Sequence, residues 1–148
     1  MRALVERVSG APTDRLAALL AESEQQGFGF VHRLVREWES GVNRFDRPGE
    51  ALFVARVGDD AVGVCGLSVD PYADDPKVGR VRHLYVLVRH RRSGIGEQLV
   101  ADVLEAARGR FERLHLRTTN PTAARLYERL GFRRTPDARD RTHGLDVE

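Results

Sequence analysis

The chain has 148 residues, 41% hydrophobic and 31% charged, with a net charge of +2. That length suits one domain able to bury most of its apolar surface, and the small net charge is no argument for nucleic-acid binding. No apolar run reaches the ~20 residues of a membrane span, and a lone cysteine, Cys65, excludes an internal disulfide framework or a zinc ribbon. Arg2, Glu6 and Arg7 interrupt the only apolar stretch at the start, which is not a secretory signal, so the cytoplasm is the default location. In chain order, residues 3–8 alternate weakly as a first strand. Thr13 or Asp14 then caps a helix through Leu16, Leu19 and Leu20. Gly27-Phe28-Gly29 breaks it, and a second helix follows from Phe30 to Trp38 with Val31, Leu34, Val35 and Trp38 on one side. A polar loop leads to a strand at Ala51–Val57, a turn at Gly58-Asp59-Asp60 and a hairpin partner at Ala61–Val69. Asp70–Pro76 is a loop, Val81–Val88 a strand, and Ile95, Leu99, Val103 and Ala106 mark a helix to about Arg108. Leu114–Thr118 is a short strand. Pro121 opens a helix that Gly131 ends, Phe132 begins a strand, and His143–Val147 closes the sheet. Hairpins followed by β-α-β-α predict a mixed α/β sheet in one domain spanning residues 1–148.

The chemistry concentrates in Arg91-Arg92-Ser93-Gly94-Ile95-Gly96, between the strand ending at Val88 and the next helix. Peptide N–H groups at a helix start have no intrahelical partner, and the helix dipole adds partial positive charge. Gly94 and Gly96 let backbone approach a ligand closely, so the turn reads as a pyrophosphate cradle. A dinucleotide fingerprint needs a third glycine where Leu99 stands, and a Walker loop needs a lysine, whereas the chain's only lysine is Lys77. Arg89, His90, Arg91 and Arg92 form a basic patch beside the turn, read either as a solvated turn or as attraction for a polyanion.

The pattern Arg91-x-x-Gly94-x-Gly96 resembles the coenzyme A loop of the GNAT N-acetyltransferase superfamily. Leu84-Tyr85-Val86 before Arg91 looks like that family's fourth strand entering its loop. Asn120-Pro121-Thr122-Ala123-Ala124-Arg125-Leu126-Tyr127-Glu128-Arg129-Leu130-Gly131-Phe132 is similar to its Asn-x-x-Ala…Leu-Tyr-Glu…Gly-Phe segment. The resemblance implies a single GNAT-like α/β domain: a mixed, mostly antiparallel β-sheet flanked by helices, with splayed fourth and fifth strands. It implies direct transfer of acetyl from acetyl-CoA to a small-molecule or peptide primary amine in a ternary complex. The alternative is a non-catalytic acyl-CoA sensor of the same fold. Expected partners exclude nucleic acid, given few aromatics and no recognisable motif, and exclude membrane; a homodimer is compatible.

The resemblance assigns the pyrophosphate to the backbone amides of residues 91–96, namely Arg91, Arg92, Ser93, Gly94, Ile95 and Gly96. It assigns the pantetheine arm to the main chain of Val86, Leu87 and Val88, where an N–H would also stabilise the thioester oxyanion. Tyr127, about two turns past Asn120, is the expected general acid; its other reading is a rim tyrosine of the core. Asn120 is expected to bond the arm, cap its helix, or both. The base is not legible: Arg80 and Arg82 stand where relatives carry Glu or His. His83 is expected to point to the opposite face, and Asp70 is a weaker candidate. Arg80 and Arg82 read as acceptor-facing or as a solvated strand face. Cys65, amid Val62, Val64, Leu67 and Val69, reads as an inert buried thiol. His32, His90, His115 and His143 lack metal-ligand spacing, and no metal is expected.

Overall fold

The computed structural model describes residues 3–147; Met1, Arg2 and Glu148 lie outside it. Seven strands form one sheet in the order β1-β2-β3-β4-β5-β7-β6. They are β1 (Leu4–Arg7), β2 (Ala51–Val57), β3 (Asp60–Val69), β4 (Val78–Val86), β5 (Arg113–Leu116), β6 (Arg133–Arg134) and β7 (His143–Asp146). Four helices cover it: α1 (Ala17–Gln25), α2 (Phe30–Ser40), α3 (Ile95–Ala107) and α4 (Pro121–Arg129). All pairings are antiparallel except β4 with β5.

The middle strands are apolar almost without interruption because both sheet faces are covered. α3 buries Ile95, Leu99, Val100, Val103 and Ala107 against β2, β3 and β4. α1 and α2 pack on the other face and meet at Gly27, whose φ of +80° turns the chain between them. Two positions on β3 fix which face is which. A Cβ on Gly63 would meet Leu99 of α3, whereas one on Gly66 would meet Phe45 on the opposite side. Alternation then directs Cys65 and Leu67 toward the α3 side, and Val64 and Ser68 toward the α1–α2 side.

β4 and β5 pair only through Val78–Arg80 with Arg113–His115; beyond Arg80 the strands part. The separation coincides with a bulge. Val64 faces Tyr85 and Gly66 faces Arg82, so Cys65 alone opposes both His83 and Leu84. The extra residue needs an unusual backbone, and His83 takes φ +60°. The expected splay is therefore present, built by one inserted residue.

Several boundaries differ from the sequence reading. β4 runs from Val78 to Val86 rather than 81–88, and Val88–His90 form a 3₁₀ turn. Lys77 and Val78 lie in a polar loop context that hides the strand start, while β5 extends it by pairing with Val78. β5 stops at Leu116, and β6 holds only Arg133 and Arg134. Neither Thr13 nor Asp14 caps α1: its N-cap is Leu16, which makes no side-chain cap and bonds back through its N–H to the Pro12 carbonyl at 3.0 Å. A turn between Pro12 and Leu16 displaced the helix start by a few residues.

Candidate active site

The loop after β4 carries two left-handed residues, Arg92 at φ +63° and Gly94 at φ +84°. With Ser93 between them, the turn has the kind of alternating backbone in which successive N–H groups can converge. α3 begins at once, its first closing bond running from Gln98 N–H to the Gly94 carbonyl at 3.0 Å. Among the described residues, the N–H groups of Arg92, Ser93, Gly94, Ile95, Gly96 and Glu97 have no main-chain partner. The Ser93 hydroxyl donates to the His90 carbonyl and steadies the turn.

The two glycines have different jobs. Gly94 supplies the left-handed conformation, with open space where a Cβ would stand. Gly96 stands in a packed setting: a Cβ there would lie 3.2 Å from Leu126 of α4 and 3.8 Å from Val86, so the missing side chain also lets α3 and α4 close together above the strand end.

Arg91 also differs from its expected role. Its N–H is spent on the Val88 carbonyl, its Nε donates to the Val86 carbonyl at 2.8 Å, and its guanidinium lies 5.2 Å from the Tyr85 ring centre. It braces the end of β4 instead of offering its amide. Of the main-chain candidates Val86, Leu87 and Val88, only Val86 faces the gap. Leu87 donates to the Val62 carbonyl at 2.9 Å, and Val88 donates to Glu22 Oε1 at 2.8 Å. Their carbonyls accept from His90 and Arg91. Because Leu87 bonds β3, the antiparallel alternation turns the N–H of Val86 away from β3 and into the opening. Glu22 was missed in the sequence: it also accepts from the Tyr85 hydroxyl at 2.7 Å, tying α1 to the strand end. Burial, and then Glu22, push that phenol up to about 12.

Tyr127 stands on α4 with 5% exposure, its ring edge-on to Phe132 at 5.6 Å. Burial raises it well above the usual phenol value, and the Cys65 thiol adds to the rise. It is therefore on the α3–α4 side, near Cys65 of β3, and it stays protonated throughout the working pH range. Cys65 is itself fully buried, pushed up to about 12 by desolvation, which removes it as a nucleophile. Asn120 is a helix cap: its side-chain oxygen accepts from Thr122 N–H at 2.9 Å and Ala123 N–H at 3.4 Å.

The base candidates sit on the other face. Alternation was expected to turn His83 away from Arg82, but the bulge breaks alternation. The imidazole lies edge-on to Phe45 and feels the charges of Arg82 and Arg33. Desolvation and those cations lower it to about 3, so it is neutral and a weak proton acceptor. Asp70 is buried and committed: it accepts from His115 Nδ1 at 2.7 Å, Arg80 at 3.4 Å and the Tyr72 N–H at 3.0 Å. Arg80 reaches on to the Asp140 carbonyl at 2.6 Å. Arg80 and His115 form the last rung before β4 and β5 separate, so this ionic cluster pins the root of the gap. Asp70, His115 and Asp140 are close enough together to suggest a metal site. The Arg80 guanidinium already supplies the positive charge there, and a second cation beside it would be repelled.

The family model described as Acetyltransferase (GNAT) family matches residues 14–132. N-alpha-acetyltransferase 30 of Homo sapiens and of Xenopus laevis are each 36% identical over 86 residues, 56% of this chain. The chain spans only 24% and 32% of their lengths, respectively. Among solved structures, a protein from Exiguobacterium sp. 255-15 assigned as an acetyltransferase superposes with TM-score 0.87 at 31% identity, covering 99% of this chain and 94% of its own. N-acetylglutamate synthase from Neisseria gonorrhoeae, complexed with coenzyme A and N-acetyl-glutamate, shares the fold with TM-score 0.70 at 20% identity, over 99% of this chain and 35% of its own. The parted strands, the amide-lined turn and the matched segment agree, and the chain belongs to the GNAT acetyltransferase family.

Proposed function

We propose that this chain moves an acetyl group from acetyl-CoA to a primary amine by direct attack in a ternary complex. The observation that carries the reading is the row of unpartnered N–H groups from Arg92 to Glu97 opening beside the Val86 N–H in the gap between β4 and β5. The residues fit a coenzyme A ester: the turn suits its pyrophosphate, and the unpaired edge of β4 suits an amide-bearing arm. When bound, acetyl-CoA supplies an acyl group activated as a thioester.

Val86 would donate its N–H to the carbonyl oxygen as charge builds there, a fixed dipole needing no reorganisation. Tyr127 would hold the proton that the departing sulfur needs. Its raised value keeps that proton in place until a thiolate develops nearby. Leu99, Val100 and Phe132 are fully or almost fully buried around this face and exclude water. Holding both reactants in one gap removes much of the entropic barrier. His83 and Asp70 are poorly suited as bases, so the amine would give its proton to solvent. Among the described residues no helix is long and apolar enough to cross a membrane. A free thiol kept reduced suits the cytoplasm.

Thiol release from acetyl-CoA, followed across a panel of primary amines, tests the proposal. The expected result is amine-dependent release with formation of an amide. Tight coenzyme A binding with no release for any amine would favour the sensor reading instead.

A further inference from the structure

We infer that Arg82 receives a carboxylate on the acceptor, so that the preferred substrate is an amine carrying a carboxylate and not a plain alkylamine. The inference rests on the acetyl-transfer reading above and adds the acceptor's chemical class.

Arg82 pairs with Gly66 across β3, which sets its side chain on the α1–α2 face. It is the residue just before the bulge, where β5 has already parted from β4. Its side chain is only 13% exposed, yet its nearest carboxylate, Glu37, lies 3.6 Å away, beyond hydrogen-bond distance. Glu37 is already held by Arg33, whose Nε donates to its other oxygen at 2.9 Å. Desolvation depresses the Arg82 guanidinium; Glu37 offsets this, and the cations Arg33 and Arg80 add to it.

The ion pairs around Arg82 are unevenly shared. Arg80 is matched by Asp70 and Arg141 by Asp140, while Arg33 and Arg82 share one Glu37. Arg82 has no carboxylate of its own. Burying a planar donor without full hydrogen bonding is costly unless a ligand completes it.

Two neighbours give the corner a polar lining. His83 is 9% exposed, and neither ring nitrogen has a protein hydrogen bond. The Phe30 backbone approaches the ring without reaching hydrogen-bond geometry. Tyr72, 56% exposed, lays its ring 4.7 Å from the Arg80 guanidinium and faces its hydroxyl toward Arg33. A fork of spare N–H donors beside a neutral imidazole suits a flat, two-oxygen anion. A single carboxylate would give Arg82 a partner of its own. A phosphate dianion would exceed that charge and meet Glu37. Because the bulge sets two residues opposite one, Val86 lies on the order of 10 Å further along β4, so anion and reacting amine can belong to one molecule.

The test compares three matched acceptors by thiol release: an amino acid, its carboxamide and the amine lacking the carboxylate. The acid is expected to be preferred about 10- to 100-fold in kcat/KM, mainly through KM. Arg82→Gln should collapse the acid-to-amide ratio toward one, and Arg82→Lys should restore part of it. Glu37→Gln should lower KM for the acid further, an effect that a merely structural Arg82–Glu37 pair does not predict. Equal use of acid and amide by the unaltered protein would overturn the inference, as would a ratio that survives in Arg82→Gln. Calorimetry with the N-acetylated amino acid and its carboxamide reads the corner without turnover. Preference for the acid supports the site, and equal binding overturns it. Absence of thiol release with every amine would count against acetyl transfer alone.

Discussion

The two faces of the sheet at β4 hold chemistry by opposite means. On the α3–α4 face, Cys65 and Tyr127 sit among Leu99, Val100 and Phe132, and burial drives both titratable groups toward their neutral forms. What remains polar there is backbone: the Val86 N–H and the amides of the 92–97 turn. On the α1–α2 face, Arg33, Glu37, Arg80, Arg82, Asp70 and His115 form ion pairs within and between α2, β4, β5 and the loop after β3. An apolar environment penalises charge, so what the first face can offer a ligand is fixed backbone dipoles and shape. The second face keeps its desolvated charges by pairing them, most tightly at Arg80 and Asp70 and least completely at Arg82. β4 separates the two, and its bulge at His83 lies where β5 has already parted from it.

That contrast makes ordered predictions. The largest effect belongs to the ionic face. Arg80→Met leaves Asp70 buried with only His115 and the Tyr72 N–H, and should cost about 3–5 kcal/mol of stability. The loss is read as a lower denaturant midpoint; an unchanged midpoint would show that the cluster is not what holds β4 to β5. On the neutral face the expected loss is in rate. Tyr127→Phe should lower turnover by about 10²-fold with coenzyme A affinity, measured by calorimetry, nearly unchanged. Full turnover in that variant removes the phenol from proton transfer.

The smallest effect tests the residue between the faces. His83 is held neutral, at about 3 against 6.5 when unfolded. The unfolded chain therefore binds the extra proton first as pH falls. The stability that this neutrality contributes is fully present above about pH 6.5 and declines as pH drops toward 3, at up to about 1.4 kcal/mol per pH unit. Asparagine tolerates the left-handed backbone at this position. His83→Asn should flatten the pH dependence of unfolding between pH 6 and 4 relative to the parent, and parallel curves would show that the imidazole is solvated.

The loop at 91–96 and the Asn120–Phe132 block were legible because each is a local pattern with its own mechanism: a glycine where φ must be positive, an asparagine where a helix needs a cap. The start of β4 was not legible, since Val78 and Gly79 become a strand by pairing with distant partners, β3 on one side and β5 on the other. The site's other half was invisible for the same reason. Asp70 meets His115 across 45 positions of sequence, and Glu22 meets Val88 across 66. Nothing near Glu22 in the chain marks it as the group that occupies the Val88 amide. Leu87 and Val88 looked like a continuing strand because their side chains are apolar, but side-chain type does not report where an N–H is spent.

The amino-acid order alone determined most of the strands and helices, where the glycine turn before α3 lies, and that Cys65 is core, because periodicity, glycine placement and apolar neighbours act over a few residues. Tertiary structure decided which N–H groups stay free, that Gly96 lies against Leu126, and that Arg82 shares its carboxylate with Arg33. Those depend on distances between segments far apart in the chain, where one bulged residue changes which side chains share a face.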